Sequence, residues 1–196
     1  SEPYLPGVQL PTDWNTEPNL EKAAAKAEVL VIAVASKAFR TVTAHLSSFD
    51  RLAVTCTKGI EFDTGFTMSS ILEQTMPKAK IAAMSGPTLA LEVANGVPAA
   101  IVAASKNEET AAAVQTLFHR PAFRVYTSDD VYGVEMGGAL KNVIAIAAGI
   151  GDGLGFGDNS KAALLTRGIV ETTRLGVAGG ARTETFSGLS GIGDLT

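Results

Sequence analysis

The chain is poor in the residues that usually carry metal, disulfide or thiol chemistry. One cysteine, Cys56, and two histidines, His45 and His119, occur in 196 residues. A single cysteine excludes an internal disulfide framework and fits a reducing compartment, so a cytoplasmic location is expected. Cys56 ends the apolar run Ala53-Val54-Thr55-Cys56 with no histidine near it in sequence, which is the setting of a buried structural thiol. Both histidines fall in segments that read as surface helices. Basic excess is lacking too. Sixteen Lys and Arg against 20 Asp and Glu leave a net charge of −4, so nucleic acid is not an expected partner. No membrane span is expected, because the longest apolar runs, Pro98 to Ala104 and Val143 to Ile150, fall short of the ~20 residues a spanning helix needs. Ser1-Glu2-Pro3-Tyr4 does not read as a signal peptide. The one tryptophan, Trp14, reads as a loop anchor. The G-x-G-x-x-G phosphate turn is absent from the chain.

What is present is a large apolar share, 46%, enough to bury one large or two small cores. Continuous apolar runs at Glu28 to Val34, Leu52 to Cys56, Lys80 to Met84, Ala99 to Ala103 and Phe123 to Tyr126 have strand length. Continuous rather than alternating apolarity predicts strands covered on both faces. Helical patterns separate them at Leu20 to Lys26, Ser36 to Leu46, Met68 to Met76, Thr88 to Ala94 and Glu108 to His119. In the last, Ala112, Leu117 and Phe118 suit a buried face. This alternation predicts a mainly parallel α/β sheet. After Asp129 the texture changes. Val131 to Ile150 reads as one long apolar helix, and a second runs from about Asn159 to Val177, with Asp158 or Asn159 as its N-cap. A boundary near Ser128 is expected between an α/β part, 1–128, and a helical part, 129–196. The glycines at 149–157 follow a helix and fit no phosphate-loop frame, so they read as a helix-terminating turn.

Four groups could carry chemistry. Lys58, in Thr57-Lys58-Gly59-Ile60-Glu61, follows a strand, where parallel sheets bind ligands and a lysine can hold phosphate as a point charge. Ser85-Gly86-Pro87-Thr88 follows the next strand and opens a helix, with Ser or Thr available as cap. Gly137-Gly138 sits inside a long helix, at roughly 1 kcal/mol each relative to alanine, which implies that another backbone or a ligand packs close. Lys141, three residues on, interrupts an otherwise apolar face; a general acid–base lysine and a snorkelling one both fit that pattern. Asp194, in Gly191-Ile192-Gly193-Asp194-Leu195, is by itself a turn residue.

Taken in order, the blocks Tyr4 to Gly7, Thr57 to Glu61, Ser85 to Thr88 with Glu92-Val93, Phe123 to Asp130, Gly137 to Asn142 and Gly188 to Leu195 resemble the glycerol-3-phosphate dehydrogenase family of bacterial type. The resemblance implies a Rossmann-like doubly wound sheet followed by the start of an all-helical domain. It implies an oxidoreductase that interconverts glycerol 3-phosphate and dihydroxyacetone phosphate with NAD or NADP and feeds glycerophospholipid synthesis. Lys141 resembles the proton donor and acceptor at the substrate C2 oxygen. Lys58 resembles a lysine touching both substrate and cofactor, and Asp194 a substrate-binding and catalytic acid. Gly86, Thr88 and Asn142 resemble substrate-binding positions; Ala90 and Ser36 resemble cofactor contacts. The partner implied is a small phosphorylated three-carbon substrate, with a homodimer among the oligomeric states left open.

Two departures stand out. Ala35-Ser36 replaces the family's usual Pro-Ser after the first strand run. The first strand and glycine-rich turn of the family, and the substrate-phosphate Arg-Asn pair that follows the aspartate, are not in these 196 residues, and neither is the residue that selects NAD over NADP. Residues 1–196 alone are therefore expected to be inactive. A different two-domain dehydrogenase acting on a hydroxy or sugar acid, and a non-catalytic binding module, are the competing readings. Lys-Gly-Ile-Glu and Gly-Ile-Gly-Asp-Leu argue against the former.

Overall fold

The computed structural model describes residues 4–195. Five strands form one sheet in sequence order: β1 (Val29–Ile32), β2 (Leu52–Thr55), β3 (Lys80–Ser85), β4 (Ala99–Ala104) and β5 (Phe123–Ser128). Three pairings are parallel, and β3–β4 is antiparallel, with Ser85 opposite Val102. The expected mainly parallel sheet is thus present with one reversal. Between β3 and β4 lies only the five-residue α4 (Ala90–Ala94). The chain turns back at the same end of the sheet instead of crossing its face on a long helix.

Helices cover both faces, as the continuous apolarity of the strands requires. The four other helices of this part are α1 (Leu20–Ala25), α2 (Ser36–Ala44), α3 (Met68–Thr75) and α5 (Glu108–Phe118). Asn19 and Asn107 cap α1 and α5 by accepting the Lys22 and Thr110 N–H groups, both at 2.8 Å. Adjacent strand residues point to opposite faces. Ala53 packs with Phe39, Ile71 and Leu72 of α2 and α3, while Val54 packs with Val114 of α5 and Val125. The buried face of α5 is Thr110, Ala111 and Val114 with Phe118 beside them. Ala112 and Leu117, expected inside, are exposed, because the helix is rotated by about one position from the reading of its apolar residues. Cys56 joins the Val54 cluster, and burial pushes its thiol pKa up. Trp14, expected to anchor a loop, is 65% exposed.

Among the described residues no strand follows Ser128. The helices there are α6 (Val131–Gly153), α7 (Asp158–Ala178), α8 (Thr183–Phe186) and α9 (Ile192–Leu195). α6 lies on the α2–α3 face, with Val131 and Val134 against Ala83 and Ala104. It is long and apolar enough to cross a membrane by length and composition, since the helix outlasts the apolar run within it. Here its first two turns, Val131 to Gly138, are buried against protein, while Val143, Ile146 and Ile150 are exposed. Asp130 ties the helical part together. Its carboxylate accepts the Gly133 N–H at 2.9 Å, capping α6, and also the Arg182 N–H at 2.9 Å and the Thr185 hydroxyl. α7 is capped by Gly157 rather than by Asp158 or Asn159. Asp158 instead occupies the first turn, where its charge meets the positive end of the helix. The glycine-rich stretch does end α6, although the helix continues to Gly153. Gly155 then takes the left-handed conformation at φ +74°.

Candidate active site

Parallel strands β1 and β2 bring their following loops together. Gly59 lies against Ser36, at the start of α2, so closely that a Cβ on Gly59 would stand 2.8 Å from the Ser36 Cβ. The Thr57 hydroxyl donates to the Val34 carbonyl at 2.8 Å, joining the same two loops. On the far side of Lys58, Arg40 of α2 grips Glu61 with two bonds of 2.7 Å. This paired guanidinium, helped by the Thr64 hydroxyl, holds the Glu61 carboxyl at about 2. The Lys58 loop is therefore fixed on both sides of the lysine.

The β3 end supplies the next wall. The Gly86 carbonyl accepts from Lys58 Nζ at 3.2 Å and from the Thr88 hydroxyl at 3.3 Å. Thr88 does not cap a helix, as α4 starts two residues later, at Ala90. Its hydroxyl is spent on the Gly86 turn.

α6 supplies the third wall, and its paired glycines explain how it comes so near. A Cβ at Gly137 would stand 2.6 Å from the Ser190 carbonyl oxygen, and one at Gly138 would collide with the Ser85 hydroxyl. Bare backbone at these two positions admits the 188–195 segment on one side and the end of β3 on the other. One turn on, Lys141 Nζ donates to the Asp194 carbonyl at 2.8 Å and to its carboxylate. The other carboxylate oxygen accepts from Lys58 Nζ. Lys58, Lys141 and Asp194, drawn from three separate stretches of chain, thus form one charged cluster.

Asp194 has only 4% of its side chain exposed, against 27% for Lys58 and 18% for Lys141. Burying a carboxylate is costly unless it is paired, and here two ammonium groups meet it. With both lysines protonated, two positive charges and one negative leave the cluster at +1. Burial pushes the Lys58 pKa below the usual lysine range, Asp194 opposes that shift, and Lys141 adds to it. The cluster, partly exposed through its two lysines, can attract an anion.

Of the remaining expected positions, only Ser36 has a close contact with the Lys58 loop. Ser36 abuts Gly59. Ala90 is exposed at the start of α4, and Asn142 is exposed next to Lys141. The Gly59–Ser36 junction lies at the carboxyl ends of two parallel strands, the end at which open α/β sheets bind ligands.

Three polar residues escaped the reading of the sequence. Arg40 lies in an amphipathic helix with nothing to mark its partner. Asp130 stands two residues after a strand, an ordinary capping position. Glu135 had a detectable signal, a lone acid in an apolar helix. It accepts the Ser69 N–H at 2.8 Å and the Ser69 hydroxyl, so it caps α3 from α6. Burial pushes its pKa up, against the pull of the Ser69 and Thr67 hydroxyls.

Residues 1–111 match the family model for the NAD-dependent glycerol-3-phosphate dehydrogenase N-terminus, and residues 130–196 match that for the C-terminus. The chain belongs to the NAD-dependent glycerol-3-phosphate dehydrogenase family. A glycerol-3-phosphate dehydrogenase [NAD(P)+] of Fusobacterium nucleatum is 48% identical over 97% of this chain, and one of Geobacter sulfurreducens is 49% identical over 98%. The chain spans 58% and 59% of the lengths of these two relatives. Among solved structures, a glycerol-3-phosphate dehydrogenase from Coxiella burnetii superposes with a TM-score of 0.94 at 35% identity. That match covers 99% of this chain and 60% of the Coxiella chain. The doubly wound, mostly parallel sheet and the helices after it are therefore the architecture of this family.

Proposed function

We propose that the protein to which this chain belongs interconverts sn-glycerol 3-phosphate and dihydroxyacetone phosphate, using NAD or NADP and feeding glycerophospholipid synthesis. The single observation that carries the reading is the convergence of Lys58, Lys141 and Asp194 beside the Gly86 turn. The family membership and the net positive cluster support it.

In this reading Lys141 Nζ gives a proton to the substrate C2 oxygen on reduction and takes it back on oxidation, the task of a positioned general acid–base. Lys58 offsets negative charge at the reacting centre. Asp194 holds both ammonium groups in place and binds substrate. Gly86, Thr88 and Asn142 line the substrate side. Ser36, Lys58 and Ala90 would hold the cofactor, which supplies the hydride donor or acceptor when bound. Residues 1–128 act as the later part of the dinucleotide-binding domain, and 129–196 as the start of the helical substrate domain. The partner is a small phosphorylated three-carbon compound, the setting is cytoplasmic, and a homodimer is the assembly to test first.

The test is NAD(P)H consumption with dihydroxyacetone phosphate by protein expressed from its complete natural reading frame, alongside a hydroxy acid such as 6-phosphogluconate in the oxidative direction. Turnover of the three-carbon phosphate is expected. Turnover of the sugar acid alone would replace this reading with that of a different dehydrogenase.

A further inference from the structure

Ser85 ends β3 directly beneath the charged cluster. It is 4% exposed, and among the described residues its hydroxyl is the only buried side-chain polar atom with no hydrogen-bond partner. Other buried hydroxyls are met: Ser69 by Glu135, Ser105 by the Ile81 carbonyl at 2.7 Å, Thr43 by the Phe39 carbonyl at 2.9 Å. Burying a hydroxyl unmet is costly, and an alanine there would avoid the cost. The Oγ faces Gly138 of α6, and the same spot, where a Cβ on Gly138 would sit, is 3.7 Å from Lys58 Cδ. The hydroxyl and the stem of Lys58 thus both border the bare backbone of Gly138. The next carbonyl along, that of Gly86, already accepts from the Lys58 ammonium at 3.2 Å. That ammonium has three N–H donors, and its two assigned acceptors are Asp194 and the Gly86 carbonyl.

We propose that Ser85 is a positioning residue for Lys58, its hydroxyl accepting from the Lys58 ammonium once Asp194 turns toward bound substrate. The inference rests on the function proposed above. With the Gly86 carbonyl and the adjacent Ser85 hydroxyl both available to it, Lys58 keeps its place when its carboxylate partner is shared with a ligand. The unmet Ser85 hydroxyl is then an acceptor held in reserve for the Lys58 ammonium.

The experiment compares wild type, Ser85→Ala and Ser85→Cys in protein from the complete reading frame. Readouts are steady-state kinetics, and thermal midpoints with and without dihydroxyacetone phosphate. Removal of one bond to a charged group predicts a KM for dihydroxyacetone phosphate raised roughly 10-fold or more, with kcat nearly kept. The ligand-free midpoint should equal or exceed that of wild type, while the midpoint shift on adding substrate shrinks. Ser85→Cys keeps the size but is a weak acceptor, so it should behave as Ser85→Ala does. A wild-type KM in both variants overturns the inference. So does a ligand-free midpoint that falls together with activity, which marks plain packing. An inactive wild type overturns the functional reading itself, a result distinct from active wild type with silent variants.

Discussion

Gly137→Ala in α6 puts the argument about close helix approach at risk. Alanine is favoured over glycine in a helix interior by about 1 kcal/mol. At Gly149 of the same helix, where no atom lies within 4 Å of an added Cβ, that gain should appear in full. At Gly137 the added Cβ would stand 2.6 Å from the Ser190 carbonyl oxygen and 3.1 Å from its carbon. These are backbone atoms, which cannot rotate aside as a long side chain can. The 188–195 segment must move off α6, at the ~1–3 kcal/mol typical of overpacking. The net change at Gly137 is a loss of about 0–2 kcal/mol, against a gain of about 0.5–1 kcal/mol at Gly149. The same movement draws Asp194 away from Lys141, so turnover should fall at Gly137 and not at Gly149. Chemical denaturation midpoints and steady-state rates of the two variants, in protein from the complete reading frame, read both effects. A Gly137→Ala protein as stable and as active as Gly149→Ala would refute the idea that bare backbone is needed there.

Other outcomes follow from the same contacts. Lys141→Met should fold and lose roughly 10²–10⁴-fold in kcat; near-normal turnover would remove Lys141 from its proposed role. Asp130→Ala loses the α6 cap and two further bonds, and should cost roughly 2–4 kcal/mol in a denaturant titration. The Glu61 carboxyl, held at about 2 by Arg40, lies below its unfolded value of 4.5. It contributes stability above 4.5 that is lost as pH falls toward 2, so Arg40→Ala should flatten the acid limb of stability measured between pH 5 and 2. Glu135 has the opposite sign. Its pKa is raised by burial, so its contribution falls as pH rises above 4.5, and Glu135→Gln should abolish that decline in denaturation midpoints followed upward from about pH 4 to about pH 8.

The sheet was legible because five runs of continuous apolar residues have no stable use except between two layers, and the helical patterns between them leave few alternatives. Direction was not legible. Nothing in Ala99 to Ala104 marks it as reversed, and a short helix after β3 was the one hint. Helix rotation was also hidden. In α5, alanines on every side make the buried face nearly degenerate, and packing of Val114 and Phe118 decides it. At the site, Lys58, Lys141 and Asp194 were individually ambiguous, and family resemblance alone separated them from loop, snorkelling and turn residues. Ser85 was visible only as part of a turn, since an unmet hydroxyl is a property of its surroundings. Glu135 and Arg40 were missed because their partners lie 66 and 21 residues away, beyond any local pattern.

The single reversal at β4 settles where α6 can begin. β5 runs with β4, so the chain passes Ser128, level with Ala83 and Thr55, heading away from the Lys58 end of the sheet, and α6 must turn back along β3 to reach it. From Val131 to Lys141 is ten steps of a helix, about 15 Å at 1.5 Å per residue. A six-residue strand is about 20 Å long at 3.3 Å per residue. The helix therefore acts as a measured arm, spanning about three quarters of a strand of that length. The parity of strand reversals is what matters. With none, or with two, β5 would end beside Lys58, and the same helix would carry Lys141 away from Asp194. Inserting or deleting even one residue between Val131 and Gly137 would rotate the arm by about 100° and turn the lysine out of the site while leaving both sheet and helix intact.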